Sequence, residues 1–399
     1  MGELNNIFNQ FLENKPIFDN REALTISFTP ENIPYRNTQI ADLGRILAPA
    51  LKGAKTSNVF IYGRCGTGKT LVAQYVGREL EEVSKKNGVN VKIVYVNCKM
   101  KKSADTEYRL LAGLIKKFGK DVPFTGLPTD QLYHLFFDAI EGNDNNVILI
   151  IDEVDALVQK AGDEILYNLT RMNQDLKKSK VSIIGITNDL GFIDKLDPRI
   201  KSSLNEEELI FPPYNAVQIQ EILRDRSKLA FVPDVLEQGV IEKCSALAAQ
   251  EHGDARKALD LLRVSAELAE RESSGKVSIK FVDKAEDKID LDRTVEIVKT
   301  QPRQSQAVLW GIIKAIDETE GDIEGSDVIE QYEKLCKGHG LKPLTQRRVS
   351  DLIAELDMFG VITSKVLSKG RYGRTRVISL DVSDKVLENI KGILSEVFY

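Results

Sequence analysis

Residues 63–70 read Gly-Arg-Cys-Gly-Thr-Gly-Lys-Thr, directly after the apolar run Val59-Phe60-Ile61-Tyr62 and directly before a helical pattern. This spacing, Gly-x-x-x-x-Gly-Lys-Thr between a strand and a helix, constrains the fold more than any other feature of the chain. The glycines let successive backbone N–H groups turn inward around an anion, and the helix that begins near Lys69 adds the positive end of its dipole. In such a loop Gly63, Cys65, Gly66, Thr67 and Gly68 form the cradle. Lys69 reaches the β- and γ-phosphates and Thr70 offers a hydroxyl to Mg²⁺. The expected cofactors are ATP or ADP with Mg²⁺, the metal resting on Thr70 and Asp152.

Composition bounds what the nucleotide can serve. A chain of 399 residues is expected to form two or three domains. The net charge of −5 does not advertise nucleic-acid binding by the chain as a whole, so any basic site has to be local. Cys65, Cys98, Cys244 and Cys336 lie far apart without a C-x-x-C pair, which argues against a zinc site or a disulfide framework and for a reducing compartment. No apolar run approaches the roughly 18 residues that a membrane span needs. The first ten residues lack the basic-then-apolar pattern of a signal peptide. An intracellular, soluble protein without a membrane partner is expected.

Further apolar runs at Val91–Asn97, Val147–Asp152, Val181–Thr187 and Glu208–Phe211 alternate with helical patterns such as Tyr75–Val83 and Tyr108–Phe118. Near-continuous apolar strands separated by helices predict an α/β fold with a parallel sheet covered on both faces. The third strand ends in Asp152 and Glu153, carboxylates at the edge of the sheet where such folds bind ligands. Asp152 can hold Mg²⁺, and Glu153 can polarise the water that attacks the γ-phosphate. The next strand ends at Asn188, either a polar tip that positions that water or a turn-forming residue before Asp189.

The loop 63–70, the pair Asp152–Glu153 and Asn188 resemble the Walker A, Walker B and sensor 1 motifs of the AAA+ ATPases. The segment Leu196-Asp-Pro-Arg-Ile-Lys-Ser-Ser-Leu204 resembles the region that carries that family's arginine finger. The resemblance implies that Arg199 faces the γ-phosphate of a neighbouring subunit; pairing with local acids such as Glu206 to Glu208 is the other reading. After Phe211-Pro-Pro-Tyr214 the pattern turns helical, at Asn215–Phe231, Asp234–Glu251 and Asp254–Ser273. Gly253-Asp-Ala-Arg-Lys-Ala resembles the sensor 2 helix of the AAA+ lid, with Asp254 as N-cap and Arg256 in the first turn, free to reach the γ-phosphate. By likeness to the origin-recognition branch, Tyr214 packs on the adenine or ribose and Arg226 lies near the phosphates. A core tyrosine at a domain hinge is the alternative for Tyr214. Ile33-Pro-Tyr-Arg36 with Gln39 resembles that branch's adenine-side linker.

The charged stretch Lys284–Gln301, with Pro302 following, reads as a linker. Beyond it come helices at about Gln304–Glu318 and Ser326–Cys336 and a third capped by Thr345, then strands Val361–Leu367 and Thr375–Leu380 joined by Lys369-Gly-Arg-Tyr-Gly-Arg374. Three helices and a hairpin predict a winged helix, whose third helix enters the major groove. On that helix Arg347, Arg348, Ser350, Asp351 and Ala354 point away from the core. Lys365, Lys369, Arg371, Arg374 and Arg376 concentrate positive charge on the hairpin, beside Tyr372.

From about Asn20 onward the chain resembles the archaeal replication initiators, homologous to the largest origin-recognition-complex subunit and the related cell-division-cycle helicase-loading factor. The resemblance implies an AAA+ P-loop domain with a helical lid and a C-terminal winged helix. It divides the chain into an N-terminal extension (1–20), a base domain (21–213), a lid (214–290), a linker (291–304) and a DNA-binding domain (305–399). It implies slow, regulatory ATP hydrolysis, and binding of double-stranded origin DNA, other initiator subunits or paralogues, and the replicative helicase, in the cytoplasm at the nucleoid. It also implies DNA contact from a helical insertion within Lys101–Glu141, at a loop containing Thr125, Gly126 and Leu127. A nucleotide-bound transcriptional regulator or repressor paralogue, and a clamp-loader-like ATPase, are the alternatives.

Overall fold

The apolar runs become five strands of one parallel sheet in the structure, a computed structural model. They are β1 (Asn58–Gly63), β2 (Val91–Asn97), β3 (Asn146–Asp152), β4 (Lys180–Thr187) and β5 (Glu206–Phe211), in the order β2-β3-β4-β1-β5. The structure describes residue 5 and residues 15–398, except 31, 100–105, 124–125, 142–145, 205, 320–322, 369–373, 381 and 383. The chain forms two units, Met1–Val282 and Asp283–Tyr399.

Side chains alternate across the sheet with the two-residue period of a strand. Val59 and Ile61 of β1 face one layer with Ile148, Ile150, Ile184 and Ile186, packed against helices α1 (Asn37–Leu47) and α2 (Lys69–Lys86) through Leu43, Leu47, Val72 and Val76. Phe60 and Tyr62 face the other layer with Leu149, Ile151 and Ile183. That layer is covered by α3 (Glu107–Lys117), α4 (Thr129–Glu141), α5 (Val154–Ala161), α6 (Glu164–Arg171) and α7 (Pro198–Leu204). The central strands β1, β3 and β4 are buried almost throughout, which is why they read as unbroken apolar runs.

Register places the functional ends together. Asn97 pairs with Asp152, Asp152 with Ile186, and Tyr62 with Thr187. The phosphate loop after β1, the acids after β3 and Asn188 after β4 therefore emerge side by side at one edge of the sheet, the edge at which parallel α/β folds bind ligands.

The lid packs on this base within the first unit. Its helices are α8 (Ala216–Ala230), α9 (Val240–Gln250) and α10 (Ala255–Arg271). Asn215 and Gln218 form a capping box on α8. Asp254 caps α10, accepting from Arg256 N and Lys257 N, and this cap is the one the sequence predicts. Helix α9 starts later than the sequence suggests. Asp234 and Gly239 have positive φ (62° and 92°), and the chain between them bridges to Val277 before turning into the helix. The N-terminal strap is held along the lid: Phe18 bridges Phe231, and the amides of Asp19 and Asn20 donate to Ala230 O.

Helix α11 (Ile279–Thr300) runs through residues expected as linker. Its alternating acids and bases suit a solvated helix as well as a loop, so charge alone does not separate the two. The second unit holds α12 (Arg303–Glu318), α13 (Gly325–Gly338), α14 (Gln346–Met358) and α15 (Asp384–Phe398), with a sheet of order β6-β8-β7 from β6 (Ile323–Glu324), β7 (Thr363–Ser368) and β8 (Arg374–Ser379). Its core gathers Trp310, Ile313, Tyr332, Leu352, Ile378, Leu394 and Phe398. This is the predicted winged helix, with a short third strand and the C-terminal helix α15 added. Among the described residues no helix is long and apolar enough to cross a membrane.

Candidate functional site

A cavity of about 940 Å³ opens where the strand ends meet the lid. The base lines it with Cys65, Gly66, Gly68, Lys69, Thr70, Asp152, Glu153 and Asn188; the lid adds Arg226 and Arg256. Tyr214 lines it at the hinge between them.

Four charged side chains around this cavity are nearly fully buried: Arg36, Lys69, Asp152 and Arg226, at 2%, 6%, 6% and 7% exposure. Buried charges persist only with partners, and each has them. The Lys69 ammonium donates to Gly63 O (2.8 Å), Arg64 O (2.7 Å) and Asn188 Oδ1 (2.8 Å). Burial holds its pKa below the ordinary lysine value, and the nearby Arg256 lowers it further. Asp152 Oδ2 accepts from Thr70 Oγ1 (2.8 Å) and from the Tyr95 hydroxyl (2.9 Å), and Asp152 Oδ1 accepts from Glu153 N (3.0 Å). The Tyr95 hydroxyl is pushed up to about 12 by burial and by the Asp152 carboxylate, so it stays a donor.

Glu153 lies in the left-handed region, φ 56° and ψ 46°. For a residue with a Cβ this conformation costs roughly 1–2 kcal/mol, and such strain gathers at functional sites. The turn sets the Glu153 carboxylate against Asn188 Nδ2 (3.3 Å) and Lys99 Nζ (3.7 Å). Asn188 thereby links the phosphate-loop lysine to the second acid.

A further set of contacts joins the phosphate loop to the start of the lid. Arg36 donates from Nε to Thr67 O (2.9 Å) and from Nη2 to Pro212 O (2.7 Å), with its guanidinium 3.9 Å above the Tyr214 ring. Tyr214 is 5% exposed, a hinge residue that also lines the cavity. Arg226 donates to Ala23 O (3.1 Å) and Phe28 O (3.2 Å) and stacks 4.6 Å from the Phe28 ring. Its guanidinium thus fixes the N-terminal strap while lining the cavity it shares with Lys69. Arg256 extends from the first turn of α10, with Nη1 3.5 Å from Cys65 Sγ. Arg199 does not line the cavity; it is exposed and forms a two-point ion pair with Asp197, at 3.1 and 3.0 Å, in place of the pairing with Glu206 to Glu208 considered from sequence.

Sequence reasoning missed Tyr95 altogether and saw Arg36 only as part of a linker. Tyr95 carries no motif; the one usable signal is its place two residues before the end of a strand.

A hydroxyl and a carboxylate 2.8 Å apart at the loop's outer end, Thr70 and Asp152, are the hard oxygen donors that suit Mg²⁺. Among the described residues no three His, Cys, Asp or Glu side chains gather into a cage of their own.

The candidates for DNA contact fall in both units: those of the winged helix in the second, those of the insertion in the first. Arg347 and Lys365 are exposed. Arg348 faces Asp351 (3.8 Å) and Glu355 (3.5 Å), and Arg376 Nη1 donates to Ser350 O (2.9 Å), tying the wing to α14. Lys369, Arg371 and Tyr372 lie outside the described residues, as does the side chain of Arg374. In the insertion, now seen as α3 and α4, Thr125 also lies outside them. Gly126 is exposed, with φ 106°. Leu127 packs against the base core.

Three family models cover most of the chain: the ATPase family associated with various cellular activities (AAA) at 59–212, the Cdc6 AAA+ ATPase-type lid domain at 220–287, and the CDC6 C-terminal winged helix domain at 296–389. The ORC1-type DNA replication protein of Pyrococcus abyssi is 49% identical over 393 residues, covering 97% of this chain and 93% of its own. ORC1-type DNA replication protein 1 of Archaeoglobus fulgidus is 52% identical over 382 residues, covering 96% and 92%. The Aeropyrum pernix ORC1 protein, solved in complex with DNA, is 43% identical with a TM-score of 0.85, covering 96% of this chain and 98% of that one. With these motifs at one sheet edge, a Cdc6-type lid and a winged helix, the chain belongs to the ORC1-type DNA replication initiators, a family of AAA+ ATPases.

Proposed function

We propose that this protein is an ATP-dependent replication initiator that binds duplex DNA at origins and helps recruit the replicative helicase, with ATP binding and slow hydrolysis as its switch. The observation that carries this reading is the shared cavity: Lys69, Thr70 and Asp152 come from the base, Arg256 from the lid. A nucleotide held between them stabilises the closed arrangement only in proportion to what it touches on both sides. A γ-phosphate reached by Arg256 favours closure, and its loss relaxes it.

In this reading the loop amides and Lys69 hold the β- and γ-phosphates, the lysine exchanging its loop carbonyls for phosphate oxygens. Thr70 and Asp152 would hold Mg²⁺, which would supply charge neutralisation for the transferring phosphoryl group. Glu153 accepts a hydrogen bond from the attacking water and, through Asn188, stays in register with Lys69. Arg199 serves a neighbouring subunit, exchanging Asp197 for phosphate oxygens. Duplex binding is assigned to Arg347, Arg348, Lys365, Lys369, Arg371, Tyr372, Arg374 and Arg376 of the winged helix and to Thr125, Gly126 and Leu127 of the insertion. The partners are origin DNA, other initiator subunits or paralogues, and the helicase; the protein works in the cytoplasm at the nucleoid. The ORC1 relative solved with DNA supports DNA as ligand.

A genome-wide binding map tests the whole reading. A few sharp sites at replication start points, lost in an Arg371→Ala/Arg374→Ala variant, are expected. Sites spread over promoters, or none at all, would overturn it.

A further inference from the structure

Asp152 is the one acid expected to hold Mg²⁺, yet its carboxylate is fixed by more than the phosphate loop. Its Oδ2 accepts from Thr70 Oγ1 at 2.8 Å and from the Tyr95 hydroxyl at 2.9 Å. Strand geometry explains how a residue without a motif reaches the site. Tyr95 pairs with Ile150, two residues before Asp152, on the parallel neighbour β2. Residues two apart share a face and lie roughly 6.6 Å apart along a strand, a step that a tyrosine side chain spans. The ring packs against the apolar layer under α2 and the hydroxyl reaches the carboxylate. A phenylalanine would pack there equally well and leave Oδ2 with one donor fewer.

We propose that Tyr95 is a positioning residue for the metal: its hydroxyl holds Asp152 in the rotamer that presents an oxygen to Mg²⁺ beside Thr70. Hydrogen bonds from outside the ligand set commonly orient metal ligands in this way. Thr70 stands in the first turn of α2 and Tyr95 on strand β2, so the carboxylate is held from two separate elements. The inference rests on the reading of Thr70 and Asp152 as the magnesium groups.

The test is equilibrium binding of a fluorescent ADP analogue to the full chain, titrated with Mg²⁺ and repeated in EDTA, for wild type, Tyr95→Phe and Tyr95→Leu. Mn²⁺ binding in the presence of ADP, followed by electron paramagnetic resonance, reads the metal directly. Tyr95→Phe should raise the Mg²⁺ and Mn²⁺ half-saturation concentrations by about 10-fold and leave nucleotide affinity in EDTA unchanged. Tyr95→Leu should raise them to the same extent, because the hydroxyl carries the effect. Unchanged metal half-saturation in Tyr95→Phe would overturn the proposal, as would an effect seen only in Tyr95→Leu or an equal loss of affinity in EDTA, since each assigns Tyr95 to packing. If wild type itself binds nucleotide without regard to Mg²⁺, the metal reading of Thr70 and Asp152 falls first and this inference with it.

Discussion

Asp254 caps helix α10 of the lid and also fills the space above Gly66 of the phosphate loop: a Cβ built on Gly66 would sit 1.7 Å from Asp254 Oδ1. Ala255 N donates to Gly66 O across the same junction, at 3.4 Å. Base and lid therefore meet at a glycine, with φ of 70°, that admits neither a side chain nor an ordinary backbone angle. Gly66→Ala should lower nucleotide affinity by about 10-fold, the equivalent of 1.4 kcal/mol, while the winged-helix unit stays folded. Calorimetric titration with ADP checks this; unchanged affinity would mean that the loop tolerates an open lid.

Arg226 bonds to Ala23 O and Phe28 O, and residues Thr25 to Phe28 between those anchors line the cavity. Arg226→Met removes a charged donor from two carbonyls, a loss of roughly 1.5–3 kcal/mol for such a bond. If the strap forms the base-side wall, adenosine and ATP should lose affinity by the same factor. A loss confined to ATP would return Arg226 to the phosphates.

Lys69→Ala should weaken ATP binding by about 100-fold, from the removal of charge-assisted hydrogen bonds worth roughly 1.5–3 kcal/mol each, with an unchanged circular dichroism spectrum. Unaltered ATP affinity would refute the phosphate role. The pH dependence has a defined sign. Burial lowers the Lys69 pKa, so the folded state gives up this proton at a lower pH than the unfolded chain does. Stability of the nucleotide-free protein should then rise across the window between those two values. ATP affinity should fall across the same window, as the ammonium is lost.

Asn188 joins Lys69 Nζ to Glu153, at 2.8 and 3.3 Å. Asn188→Ala should reduce single-turnover hydrolysis by about 100-fold, the scale set by removing one preorganised polar group. ATP affinity should stay within about threefold, a difference of under 1 kcal/mol. A parallel loss of affinity and rate would reassign Asn188 to ground-state binding.

Arg347 and Lys365 are exposed, while Arg376 is tied to Ser350 O. Arg347→Ala/Lys365→Ala should weaken duplex binding uniformly across sequences. It should also flatten the log–log salt dependence by about one unit for every phosphate that is no longer neutralised. An unchanged slope would move the interface to other faces of the unit.

Much of this architecture was legible in the chain because the strands are buried on both sides: Val147–Asp152 could only be an interior strand, and its position fixed the acids at the sheet edge. Asp254 was legible as a cap because an N-cap is a local event. Helix α15 was overlooked, although Val386, Ile390, Leu394 and Phe398 recur every fourth residue; the sequence reading stopped at the hairpin. Helix α11 was hidden by its charge. Long-range side-chain reach was the least legible. Tyr95 enters the site from a neighbouring strand, and Arg226 is drawn to carbonyls some 200 residues away in sequence, at positions 23 and 28. Neither pairing leaves a mark in spacing or composition.

Trp310, the single tryptophan of the chain, is packed in the core of the second unit at 5% exposure. The nucleotide-binding unit has tyrosine and phenylalanine but no indole. Intrinsic emission excited at the red edge therefore reports on the winged-helix unit alone. Denaturation followed by that signal reads the unfolding of the second unit, while one followed by backbone dichroism registers both units. A spectral shift of the indole on adding nucleotide would be an optical record of one unit responding to an event in the other.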